Sequence, residues 1–158
     1  MKNKVYVTNS AAVHAIDRLR EHFDVEVWEE FRSPPRDVLL EKSKTFDGMM
    51  IESDCRFDEE LFKSAANLKI VGTRAVGYDN IDVESATRHG IAIGNTPGIL
   101  HESCADFTFA LILSLARKIS YSNRKIINGD WKIFNQLPYL GSDVYGKTLG
   151  LIGLGTIG

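Results

Sequence analysis

The chain has 158 residues, 44% of them hydrophobic and 25% charged, which is the make-up of a globular domain or of one domain and part of a second. Nineteen Lys and Arg against 21 Asp and Glu leave a net charge of −2, with no broad field to attract nucleic acid or an anionic membrane. Two cysteines without a CxxC pair, and four histidines without metal-ligand spacing, argue against a disulfide framework or a zinc site and fit a reducing cytoplasm.

The first residues run straight into a strand-like stretch, without the apolar region or cleavage site of a signal peptide. A strand is predicted over 4–8. Asn9 or Ser10 is expected to cap a helix whose Ala12, Ile16, Leu19 and Phe23 form one apolar stripe. Further strands are expected over 25–29, 48–52, 68–73 and 91–94. Pro34 and Pro35 open a helix around 37–43, since proline is tolerated only in a first helical turn. Asp58 and Asp82 cap two more helices, and Gly90 supplies the left-handed residue that ends the second. Alternating strands and helices imply an α/β fold, here a parallel, flavodoxin-like sheet of five strands over residues 1–99.

From His101 a long helix is predicted. Its middle, with Phe107, Phe109, Leu111, Ile112, Leu113 and Leu115, is apolar nearly all round and needs covering, for instance by a second subunit. Its uncharged run, 107–116, is too short to span a bilayer. A last strand is expected over 148–152, so residues 100–158 read as the beginning of a Rossmann dinucleotide-binding domain. Trp28 and Trp131 are expected to anchor a core or an interface.

Two constellations carry chemistry. Gly153, Gly155 and Gly158 form a GxGxxG directly after the predicted strand: the first glycine for a tight turn, the second for approach of a pyrophosphate, the third for close packing of a following helix. The second runs from Arg74 through Val76, Gly77, Tyr78, Asp79, Asn80 and Asp82 to Asn95, Thr96, Pro97 and Gly98. Val76 and Gly77 fall in a loop at the carboxyl edge of a parallel sheet, where backbone N–H groups can receive a small carboxylate. Asp79, Asn80 and Asp82 read as turn and cap residues. Arg74 is expected in a surface ion pair rather than on an anion. Among the histidines, His14, His22 and His89 suit solvated or capping roles, and His101, nearest the expected cleft, has no evident carboxylate partner.

In this order, LKIVGTRAVGYDNID, ATRHGIAIGNTPGIL, ESCADFTFALILSLARKI and YLGSDVYGKTLGLIGLGTIG resemble the D-2-hydroxyacid dehydrogenases across residues 68–158. The wording is most similar to the glyoxylate and hydroxypyruvate reductase branch, with phosphoglycerate dehydrogenase next. Residues 1–67 share only the alternation of strands and helices.

The resemblance implies a two-domain homodimer with its site in an interdomain cleft. There the backbone of Val76 and Gly77 holds the carboxylate of a small 2-oxo or 2-hydroxy acid. Val76 also lies near the nicotinamide of NAD or NADP, and Gly153, Gly155, Thr156, Ile157 and Gly158 approach its pyrophosphate. Many relatives have arginine where this chain has Thr156, which removes one side-chain contact. The family's catalytic arginine, acid and histidine lie beyond the GxGxxG, so no catalytic residue is assigned and the chain alone is expected to be an inactive fragment. Other readings are a phosphoglycerate dehydrogenase, a dinucleotide-sensing regulator and a carboxylate-binding module.

Overall fold

The structure, a computed structural model, describes residues 2–132 and 135–158. The chain divides into two compact units, Met1–Gly98 and Ile99–Gly158.

In the first unit five short strands, β1 (Lys4–Val7), β2 (Asp24–Val27), β3 (Gly48–Ile51), β4 (Ile70–Thr73) and β5 (Ala92–Gly94), pair in parallel in the order β2-β1-β3-β4-β5. This is the flavodoxin-like order, and parallel neighbours require crossovers. The crossovers are α1 (Val13–His22), α2 (Arg36–Thr45), α3 (Glu59–Ser64) and α4 (Val83–Arg88).

Alternation along β1 divides the core. Tyr6 joins Met49, Ile51, Val71 and residues of α2, α3 and α4 on one side, while Val5 and Val7 meet Ile16 of α1 in a separate cluster. Leu19 and Phe23 pack against that second cluster, as the apolar stripe of α1 requires. Phe57, Leu61 and Phe62 are fully buried. Each such side chain contributes about 1.5–3 kcal/mol by leaving water.

Local chemistry sets the starts of α3 and α4 and the end of α4. Asp58 accepts from the Leu61 N–H at 3.3 Å and Asp82 from the Ser85 N–H at 2.9 Å, so both expected caps form. Gly90 has φ +69°, the left-handed conformation that glycine adopts without steric cost. The cap expected at Asn9 or Ser10 does not form. Instead Asn9 Oδ1 accepts from the Ala11 N–H at 2.7 Å, closing a local turn that delays the helix to Val13.

Charged groups fasten the helices to one another and to the sheet. Arg36 of α2 pairs with Asp58 and Glu60, holding the Asp58 carboxyl below the usual range although burial opposes that shift. Glu59 accepts from Ser85 Oγ at 2.7 Å and pairs with Arg88, so those two bonds lower its pKa and tie α3 to α4. Asp47, before β3, takes Lys69 Nζ and the Lys4 N–H, each at 2.8 Å, and is held low by both.

The second unit contains α5 (His101–Ala116), α6 (Ile119–Ile127) and a 3-10 turn, Leu137–Tyr139. The two helices are separated at Lys118, whose φ of 55° is left-handed. No residue of α5 is buried, and its Phe107, Phe109, Leu111 and Leu115 are more than half exposed. Gly141 packs so closely on the end of α5 that a side chain there would meet the Ala116 carbonyl, and the Ser142 N–H donates to that carbonyl at 2.8 Å. Trp131 stacks on Tyr139 with ring centroids 4.3 Å apart, while Trp28 packs against the first unit's core.

The strand expected over 148–152 is absent. A parallel strand exists only through bonds to neighbours, and the described residues of this unit contain no strand to pair with. Among the described residues no helix is long and apolar enough to cross a membrane.

Candidate functional site

Sheet register determines what lies near the Val76 loop. β4 and β5 run side by side with Gly72 opposite Gly94, so residues after Thr73 continue alongside residues after Gly94. Thr96 Oγ1 donates to the Arg74 carbonyl at 2.9 Å, the Thr96 N–H donates to the Ala75 carbonyl at 3.1 Å, and Asn95 Nδ2 donates to the Val76 carbonyl at 2.8 Å. The Ala75 N–H in turn donates to Thr73 Oγ1 at 3.2 Å. Among the described residues, no acceptor meets the N–H of Val76 or Gly77. Both residues are exposed. The site therefore presents two backbone donors that no described residue engages, beside the occupied carbonyls of Arg74, Ala75 and Val76, an arrangement suited to an anion.

The far side of the loop is fixed too. Asn80 Nδ2 donates to the Cys55 carbonyl at 2.7 Å, and Phe57 and Ile81 form a bridge through the Asn80 carbonyl and the Asp82 N–H. Asn80 and Asp82 thus serve the turn and the cap. Arg74 Nε lies 2.7 Å from Glu52 Oε1, the expected ion pair.

Gly77 has no left-handed φ, and a Cβ on it would meet only Asp79 Oδ2 at 3.7 Å. The fold does not require glycine there. A cavity of about 420 Å³ lined by Arg56, Asp58, Asp79 and Asp82 lies on the same unit, and its three carboxylates against one guanidinium disfavour an anionic ligand. In the second unit a 730 Å³ cavity is lined by Leu111, Leu115, Lys118, Tyr121, Arg124 and Pro138, none of them an expected site residue.

The three glycines of the GxGxxG differ in their surroundings. Gly153 has φ +93°, which a side chain would strain. A Cβ on Gly158 would lie 2.9 Å from the Gly153 carbonyl oxygen and 3.0 Å from Leu154 Cα, so only glycine fits that approach. A Cβ on Gly155 would meet nothing within 4 Å, leaving open space at the position where the motif admits a pyrophosphate. Thr156 and Ile157 are exposed beside it. Neither a strand nor a helix flanks this turn among the described residues.

No histidine joins either constellation. His89 Nδ1 lies 2.9 Å from the Ser85 carbonyl, His22 lies beside Glu21, and His101 Nε2 is 3.6 Å from Glu102 Oε1. That last contact gives His101 a carboxylate neighbour, the next residue in the chain. Among the described residues no group of three or more His, Cys, Asp or Glu could hold a metal ion. Asn95 and Thr96 had no assigned role from sequence, yet they organise the loop. The signal for them was the parallel end of the two expected strands, which places residues 95 and 96 beside 74–76.

The profile of the D-isomer specific 2-hydroxyacid dehydrogenases, catalytic domain, matches residues 5–148. The chain belongs to this family. It is 48% identical to a glyoxylate reductase of Thermococcus gammatolerans, with all of this chain and 48% of that protein aligned. A crystal structure of a Thermus thermophilus protein has a TM-score of 0.91 at 37% identity, covering 98% of this chain and 50% of the other. The NADPH-dependent glyoxylate/hydroxypyruvate reductase of Sinorhizobium meliloti, solved with NADP and malonate, has a TM-score of 0.76 at 26% identity over 99% of this chain and 48% of its own. The chain thus spans about half the length of these family members.

Proposed function

We propose that this chain is the N-terminal part of an oxidoreductase that transfers a hydride between NADH or NADPH and a small 2-oxo or 2-hydroxy acid, glyoxylate or hydroxypyruvate being the preferred substrates. The observation that carries this reading is the pair of N–H groups on Val76 and Gly77 that no described residue engages, beside the occupied carbonyls of Arg74, Ala75 and Val76. Those donors hold the substrate carboxylate.

The cofactor, when bound, supplies the hydride. This chain's part is to bind and orient: Val76 borders the nicotinamide, while Gly153, Gly155, Thr156, Ile157 and Gly158 present backbone to the pyrophosphate. Residues 100–158 are read as the opening of the dinucleotide-binding domain. A proton donor and a carbonyl-polarising arginine come from sequence beyond Gly158, so residues 1–158 alone are inactive. Two copies form a homodimer through the apolar α5, in the cytoplasm.

The test is to extend the coding sequence beyond Gly158 and assay the product for NADH and NADPH oxidation with glyoxylate and hydroxypyruvate. Turnover with a downstream arginine, acid and histidine is the expected result. A product inert toward both acids overturns the proposal.

A further inference from the structure

The peptide unit is planar and trans, so its C=O and N–H point in opposite directions. Gripping the Ala75 carbonyl aims the Val76 N–H to the other side of the segment, and gripping the Val76 carbonyl does the same for the Gly77 N–H. The first grip comes from the Thr96 backbone at 3.1 Å and does not depend on the side chain at 96, proline excepted. The second comes from a side chain, Asn95 Nδ2 at 2.8 Å. A carbonyl acceptor requires the nitrogen end of the amide, which fixes the orientation of Asn95.

We infer that Asn95 is a positioning residue for the carboxylate site: by holding the Val76 carbonyl, its amide directs the Gly77 N–H toward the substrate. This rests on the reading of Val76 and Gly77 as the carboxylate-binding pair. Without Asn95 the 76–77 peptide is held only by its chain neighbours, since Gly77 has no packed side chain to fix it. The plane then rotates, and a bound carboxylate loses one of its two donors.

The experiment uses the full-length polypeptide, ¹⁵N-labelled, as wild type, Asn95→Leu and Asn95→Gln. Leucine keeps the bulk and removes the donor; glutamine keeps a donor. Two readouts are taken: the Gly77 amide resonance during titration with glyoxylate in the absence of cofactor, and steady-state kinetics. Glyoxylate should shift the Gly77 amide in wild type and not in Asn95→Leu, with Asn95→Gln partly restoring the shift. The Asn95→Leu variant should raise KM for glyoxylate about tenfold, the equivalent of one hydrogen bond. Its kcat, its KM for the nicotinamide cofactor and its melting temperature should stay near wild type, which a merely structural role for Asn95 would not give. A Gly77 shift retained in Asn95→Leu, or absent from wild type, overturns the inference. Failure of wild type to oxidise NADH or NADPH with glyoxylate sinks the functional reading separately, and the amide titration still decides the role of Asn95.

Discussion

Gly77 and Tyr6 show two ways in which one residue can depart from what packing alone demands. At Gly77 the backbone is not left-handed and an added Cβ has an ordinary contact, so the fold itself does not require the absence of a side chain there. Gly77→Ala in the full-length protein should melt within about 2 °C of wild type, while KM for glyoxylate rises roughly tenfold. A fall in melting temperature with unchanged KM would assign glycine to folding instead. The Tyr6 hydroxyl is buried with no partner among the described residues, and burial, aided by Glu26, Cys55 and Glu41, pushes its pKa up to about 12. The folded state therefore holds the phenolic proton more tightly than the unfolded chain. Stability from this group is complete below about pH 10 and is lost as pH rises from there toward 12. Tyr6→Phe should be neutral or stabilising at pH 7, because it deletes an unsatisfied hydroxyl, and should flatten the alkaline limb of a melting-temperature profile. A loss of more than about 1 kcal/mol at pH 7 would mean the hydroxyl has a partner.

At the scale of elements, carboxylates hold the crossovers in place, and both Asp47 and Glu59 have lowered pKa values. Lowered carboxylate values mean stability that is present above the unfolded value near 4 and lost as pH falls below it. Asp47→Asn and Glu59→Gln should each lower the melting temperature at pH 7 and shrink its decline on acidification; an undiminished decline in both variants would place the acid sensitivity elsewhere. The helix signals that were legible from sequence were those resolved within one turn: the Asp58 and Asp82 caps and the left-handed Gly90. Asn9 was less legible, because the same side chain can cap a helix or close a turn two residues ahead, and the turn prevailed. The grip of Asn95 on Val76 was hidden for another reason. It spans 19 residues of sequence and depends on register, which no local pattern encodes.

Across the whole molecule the two units meet different fates. In the first, every expected strand finds a partner, so alternation of strands and helices was enough to foresee the five-stranded parallel sheet. In the second, the expected strand over 148–152 has the right composition and no ladder, since pairing is a property of neighbours and not of the segment itself. The helix α5 likewise leaves Phe107, Phe109, Leu111 and Leu115 more than half exposed, apolar surface of the kind that drives association. The proposed homodimer should appear by sedimentation equilibrium of the full-length protein, and a Leu111→Glu, Leu115→Glu double variant should shift it toward monomer. An unchanged association constant would place the interface elsewhere.

The division at Gly98 also bears on how the protein is made. Thr73, Arg74, Val76, Gly77, Asn95 and Thr96 all belong to the first unit, and so does the sheet that aligns them. A ribosome extends a chain at about 5–20 residues per second, and domains tend to fold as they emerge, N-terminal first. The loop of Val76 and Gly77 can therefore be assembled on the nascent chain before the glycine turn has been translated.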